Sequence, residues 1–161
     1  MNNGNRLCLV YPPIRIELID FMRIIKTTIK KKKELITASF NDIDSITMIS
    51  FYNNDPNDKI HTKAASIYAH TDEWALTNGH VYYNITVWRI DKVKELYLDS
   101  FKEIFNFFFG KDADKAMKEF EYFLNLNDGR EITKEMVLNG REFDLKKFEN
   151  DEGFSAWAKI K

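Results

Sequence analysis

The sequence predicts an α+β fold: an antiparallel sheet drawn mostly from the N-terminal half, packed against a helix pair at about 91–126, with a short C-terminal strand or helical turns. Two observations carry this expectation. Asn78-Gly79 suits the positive φ values of a tight hairpin turn, and the residues after it, His80 to Arg89, are rich in β-branched and aromatic side chains. Further on, Asp91 to Phe109 and Asp112 to Leu126 repeat apolar residues at helical spacing on either side of Gly110.

Met1 to Arg6 are polar and expected to fray, leaving residues 1–161 as one domain. From Ile14 two readings fit. Ile14, Ile16 and Leu18 alternate as a strand would, whereas Ile14, Leu18, Phe21, Met22, Ile25 and Ile29 share one helical stripe behind Pro13. Thr27 to Phe40 reads as strand, turn, strand, with Lys30, Lys31, Lys32 and Lys33 in a solvated loop. Ser45 to Tyr52 is apolar on both faces, as a central strand would be, and Asn53 to Asp58 is a strong chain-reversal signal.

Lys63 to Leu76 fits either a strand or a helix begun near Pro56 and ended by Gly79. The hairpin is the reading adopted. Placing Thr77 across from His80 sets Leu76 opposite Val81 and Trp74 opposite Tyr83, with Ile85 and Val87 on the same buried face. In that register His70 also turns toward the core. The other face carries Tyr82, Asn84, Thr86 and Trp88, which makes it a candidate binding surface.

In the helix Asp91 to Phe109, Val93, Leu96, Tyr97, Phe101, Ile104, Phe105 and Phe108 form the core stripe. Leu98, Phe107 and Phe109 lie off it, so the helix is either sandwiched between elements or part of an interface. The second helix, with Asp112 as N-cap, should bury Ala113, Ala116, Met117, Phe120, Phe123 and Leu124. Ile132 to Phe148 fits a second hairpin about Asn139-Gly140 or two helical turns, and Phe154 to Ile160 fits a last strand at a sheet edge.

The chain holds 24 basic and 25 acidic residues, a formal charge of -1, and so offers no global field to hold a polyanion. Cys8 is the single cysteine, which removes intrachain disulfides and cysteine clusters and suggests a reducing, cytoplasmic setting. The apolar segment Leu7 to Tyr11 is too short for a signal-peptide core, and no stretch is long enough for a membrane span.

Chemical motifs are scarce. His61, His70 and His80 would be the ligands of a metal-dependent hydrolase, but the pattern His-Glu-x-x-His is absent. The pairs Asp42/Asp44, Asp55/Asp58 and Asp112/Asp114 fall where capping and turn formation call for Asp anyway. No nucleophile elbow, phosphate-cradling glycine loop or complete calcium loop is present.

With 14% aromatic residues and no catalytic constellation, the sequence favours a small non-enzymatic module that modulates or occludes a protein partner, or self-associates, without cofactor, metal or membrane. Phe107 and Phe109 would supply the exposed apolar surface. The alternative is a single-stranded nucleic-acid binder that uses Tyr82, Trp88 and Arg89 on the open hairpin face with the Lys30 to Lys33 loop. A solvated loop, and a Trp88 packed beneath the next helix, are the non-functional readings of those same residues.

Overall fold

The computed structural model describes residues 12–32, 35–41, 46–60, 62–70, 81–126, 131–147 and 154–160 of the chain. In chain order the elements are α1 (Pro12–Lys31), β1 (Ile36–Asn41), β2 (Ile46–Tyr52), β3 (Lys63–His70), β4 (Tyr82–Val87), α2 (Ile90–Leu96) and α3 (Leu98–Phe109). A single turn of 3-10 helix, Gly110–Asp112, then leads into α4 (Ala113–Asn125), β5 (Ile132–Leu138), β6 (Arg141–Lys147) and β7 (Phe154–Ile160). The strands form one seven-stranded sheet in the order β1-β2-β3-β4-β7-β6-β5, with every neighbouring pair antiparallel.

The fold is therefore α+β, with four strands from the first half of the chain and the helix group laid against the sheet. Alternation along each strand sends Ile49 and Phe51, Ala65, Ile67 and Ala69, Tyr83, Ile85 and Val87, and Phe143 and Leu145 to one side. Those residues share a core with Leu18, Phe21 and Ile25 of α1, Val93 of α2, Phe101, Ile104, Phe105, Phe108 and Phe109 of α3, and Phe120 and Phe123 of α4. All the described helices thus lie on one face.

Most of the phenylalanines are spent there. Phe105 sits among Phe101, Phe109, Phe120 and Phe143, with ring centroids 6.1, 5.7, 5.2 and 5.5 Å away. The edge-to-face geometries favour the ring quadrupoles and suit a dense interior. The off-stripe apolar residues of α3 follow from its position: the helix is clasped between the sheet, α1 and α4.

Several expectations need correction. Thr27 to Lys31 is helix rather than strand, so the lysine run begins in the last turn of α1 and is not a loop between strands. Thr27 and Thr28 fit there because their hydroxyls donate to the carbonyls of Arg23 (3.2 Å) and Ile24 (2.9 Å), one turn back. The helix expected over Asp91 to Phe109 is broken at Tyr97, whose φ of -127° and ψ of 3° depart from helical values. The Tyr97 hydroxyl donates to the carbonyls of Leu35 (3.2 Å) and Tyr52, and its ring meets Phe51 edge-on at 5.2 Å. Tertiary anchoring sets that break.

The hairpin partner strand is a strand, as adopted, but its register differs. Tyr83 faces Ala69 rather than Trp74, and His70 faces Tyr82, which puts His70 on the side away from the helices. Residues 71–80, with Trp74 and the Asn-Gly pair, lie outside the described residues. The second hairpin is formed, joining β5 to β6 with Asn139 at φ 50° and Gly140 at φ 77°. The last strand is not at an edge: β7 lies between β4 and β6.

Candidate interaction surface

The antiparallel registers line up the side of the sheet away from the helices into cross-strand rows. One row runs Thr37, Ser50, Ser66 and Thr86, a strip of small hydroxyl side chains. The next runs Met48, Tyr68 and Asn84 and resumes beyond β7 at Asp144 and Glu135. A third contains His70 and Tyr82 and reaches Glu142 and Val137 on the far side of β7. Directly opposed side chains in such a ladder stand close enough to touch.

The rings do touch. His70 lies 6.2 Å from Tyr68 and 5.4 Å from Tyr82, centroid to centroid, and all three side chains are half-buried. Burial, and after it the negative charge of Asp144, holds the Tyr82 phenol well above its usual ionisation range. Tyr82 therefore stays neutral. Within the first row Ser66 and Ser50 are buried, and Ser66 Oγ, like Asn84 Oδ1 in the second, finds no hydrogen-bond partner among the described residues. Lys63 reaches Met48 at 3.7 Å, and Lys146 pairs with Glu131 at 3.2 Å.

The expected site residues separate into groups. Tyr82 belongs to this surface. Trp88, one residue beyond β4, is 44% exposed rather than packed beneath the following helix, and its backbone N–H donates to Ala64 at 2.8 Å. Arg89 grips Asp91 with two hydrogen bonds, of 3.3 and 3.1 Å, and the Asp91 carboxyl lies below its usual range for that reason first.

Two of the four lysines in the run are paired with carboxylates. Lys31 pairs with Glu103, and Lys32 bonds Asp99 (3.1 Å) and the carbonyl of Leu96 (3.1 Å), so both tie α1 to the segment across from it. Lys30 is exposed on the last turn of α1, and Lys33 lies outside the described residues. Phe109 is fully buried, 4.8 Å from Phe143, and so is no surface contact in the folded monomer. Phe107 is half-buried against Phe21 at 5.8 Å, with the Arg141 guanidinium 5.9 Å from its ring centre.

His61 and His80 lie outside the described residues, and His70 is on the ring surface. Among the described residues no group of three His, Cys, Asp or Glu side chains stands close enough to hold a metal ion. No described helix is long and apolar enough to cross a membrane.

Sequence reading missed one cluster on the helix side of the sheet. Glu17 of α1 and Arg141 at the start of β6 form a buried ion pair beside the wholly buried Tyr83. A signal for it existed, because strand alternation places Arg141 on the same side as Phe143 and Leu145, and a charge pointing inward demands a partner. Compared with known proteins, the chain matches no family model, no curated protein and no solved structure.

Proposed function

We propose that this protein is a small binding module that occludes or modulates a protein partner docked on the helix-free side of its sheet. The observation that carries this reading is the block formed by Tyr68, His70 and Tyr82, half-buried, with the His70 ring in contact with both tyrosines on a side where no described helix packs. Tyrosine is favoured at protein interfaces because it combines a large apolar ring, few rotatable bonds and one polar tip.

The test places a photo-crosslinking amino acid at position 82 on the sheet and, separately, at position 122 on the exposed side of α4. A discrete crosslinked protein at position 82, absent at 122 and lost when Tyr68→Ala is added, is the expected result. Binding of the identified partner should then weaken about 30-fold with Tyr68→Ala, the size of a loss of roughly 2 kcal/mol at a central aromatic contact. Equal labelling from both positions, or none from either, overturns the reading.

A further inference from the structure

Charge is spread unevenly over the helix-free side of the sheet. Strand alternation turns Glu135 of β5 and Glu142 and Asp144 of β6 to that side, opposite to the buried Phe143 and Leu145. Among the described side chains of β5 and β6 the ammonium on the same side is that of Lys146, which has Glu131 at 3.2 Å. β7 adds Lys159 at the register position between Tyr82 and Glu142, so carboxylates still outnumber cations on this half. Toward β2 and β3 the described lysine on this side is Lys63, which reaches Met48. The chain as a whole has a formal charge of -1, so the acidic character is local.

The carboxylates flank the rings. Asp144 shares a row with Tyr68 and Asn84, and Glu142 shares one with His70 and Tyr82. Each stands two strands from β4, about 10 Å at the usual strand spacing. The charge of Asp144 is felt at Tyr82, whose phenol it helps to keep protonated. Neutral tyrosine rings offer an electron-rich face to a cation, and a carboxylate takes up its charged head in a short hydrogen bond. Lysine and arginine satisfy both demands at once, because an apolar stem can lie along a ring, or along the exposed Val137 in the row of Glu142, while the head reaches an acid. A polyanion meets the reverse conditions, since the same carboxylates repel phosphate.

Resting on the docking face proposed above, we infer that the partner segment it takes is cationic: an extended stretch bearing arginine or lysine that crosses from β4 to β6, its stems on Tyr68 and Tyr82 and its heads at Asp144, Glu142 and Glu135. Charge then selects the partner and speeds the encounter, while the rings supply the contact area.

Short peptides of equal length, added to the intact isotope-labelled protein and followed by NMR, test this. One alternates arginine with serine, one replaces each arginine by citrulline, which keeps the shape and removes the charge, and one replaces it by glutamate. The arginine peptide should shift the amides of Tyr68, Tyr82 and Asp144, bind about tenfold more tightly than the citrulline peptide, and weaken as salt rises from about 50 to about 500 mM. Glu142→Gln combined with Asp144→Asn should weaken it about fivefold, the size expected for the loss of two exposed ion pairs. Glu121→Gln, on the exposed side of α4, should leave binding unchanged. Equal binding of the arginine and citrulline peptides, or tighter binding of the glutamate peptide or of a single-stranded oligonucleotide, overturns the inference. Shifts at the ring residues from the uncharged or acidic peptide would then leave the docking face standing without its preference for cations. No shift at the rings from any peptide also overturns the inference, and the crosslink from position 82 decides separately whether the face docks a partner at all.

Discussion

Replacing Phe109 by alanine separates a ring that holds the interior together from one that waits for a partner. The side chain is fully buried, with Phe143 at 4.8 Å, Phe105 at 5.7 Å and Phe108 at 5.9 Å. An aromatic side chain removes roughly 150–250 Å² from water, which at about 25 cal/mol per Å² is about 4–6 kcal/mol. Alanine keeps part of that burial while leaving a cavity, so the net cost should be about 3–5 kcal/mol. With a urea dependence of about 2 kcal/mol per molar, the unfolding midpoint falls by about 2 M. Phe107→Ala, at a half-buried ring, should cost about half as much. The assay is urea unfolding followed by circular dichroism, with light scattering on the same samples. An unchanged Phe109→Ala midpoint together with a changed molecular mass would refute the buried placement and restore α3 as an interface.

Tyr97→Phe removes the hydroxyl donated to Leu35 and Tyr52; since the Leu35 carbonyl still accepts the Tyr52 N–H at 2.9 Å, the loss should be about 1–2 kcal/mol by calorimetry. Burial pushes the Tyr97 phenol up to about 12 from an unfolded value near 10, so its contribution is complete below pH 10 and is lost as pH rises through 12. Alkaline unfolding followed by circular dichroism should begin above pH 10 and be less steep in the Phe variant. Gly110→Ala should cost about 1–3 kcal/mol in thermal unfolding, because φ is 51° and the added methyl would stand 3.0 Å from Asn139 Nδ2. Lys134→Ile should leave stability within about 1 kcal/mol but promote concentration-dependent association in sedimentation runs. It removes an inward-pointing charge, paired with Glu119 at 2.8 Å, from the edge strand β5.

What could be read from the sequence was what depends on near neighbours along the chain. The buried side of α4, Ala113, Ala116, Met117, Phe120, Phe123 and Leu124, follows from helical spacing alone. The inward side of β4 was legible too, since Val81, Tyr83, Ile85 and Val87 alternate regardless of which strand lies beside them. Register was not, because it depends on where a partner strand starts; alternation alone lets either Ala69 or Trp74 face Tyr83, and the fold pairs it with Ala69. Asp112 sits at the expected N-cap, yet its carboxylate accepts the Asn139 N–H at 2.8 Å instead of capping α4, a pairing across the fold that local reading cannot supply. Of the candidate surface, Tyr82 was visible in advance. Tyr68 and His70 emerged only with the register, and Glu17 with Arg141 only with the packing of α1 on the sheet.

The placement of β7 governs the order in which the molecule can assemble. Val87 pairs with Phe154, and Phe154 stands one strand away from β6, so the ribbon made early and the ribbon made late are fastened by a segment synthesised after both. Until that segment arrives, β4 and β6 each present an unzipped row of backbone donors and acceptors, open to pairing with a neighbouring nascent molecule. Pairings between segments this far apart along the chain slow folding. A version of the protein shortened before residue 154 would be two separate strips of ladder rather than a smaller sheet.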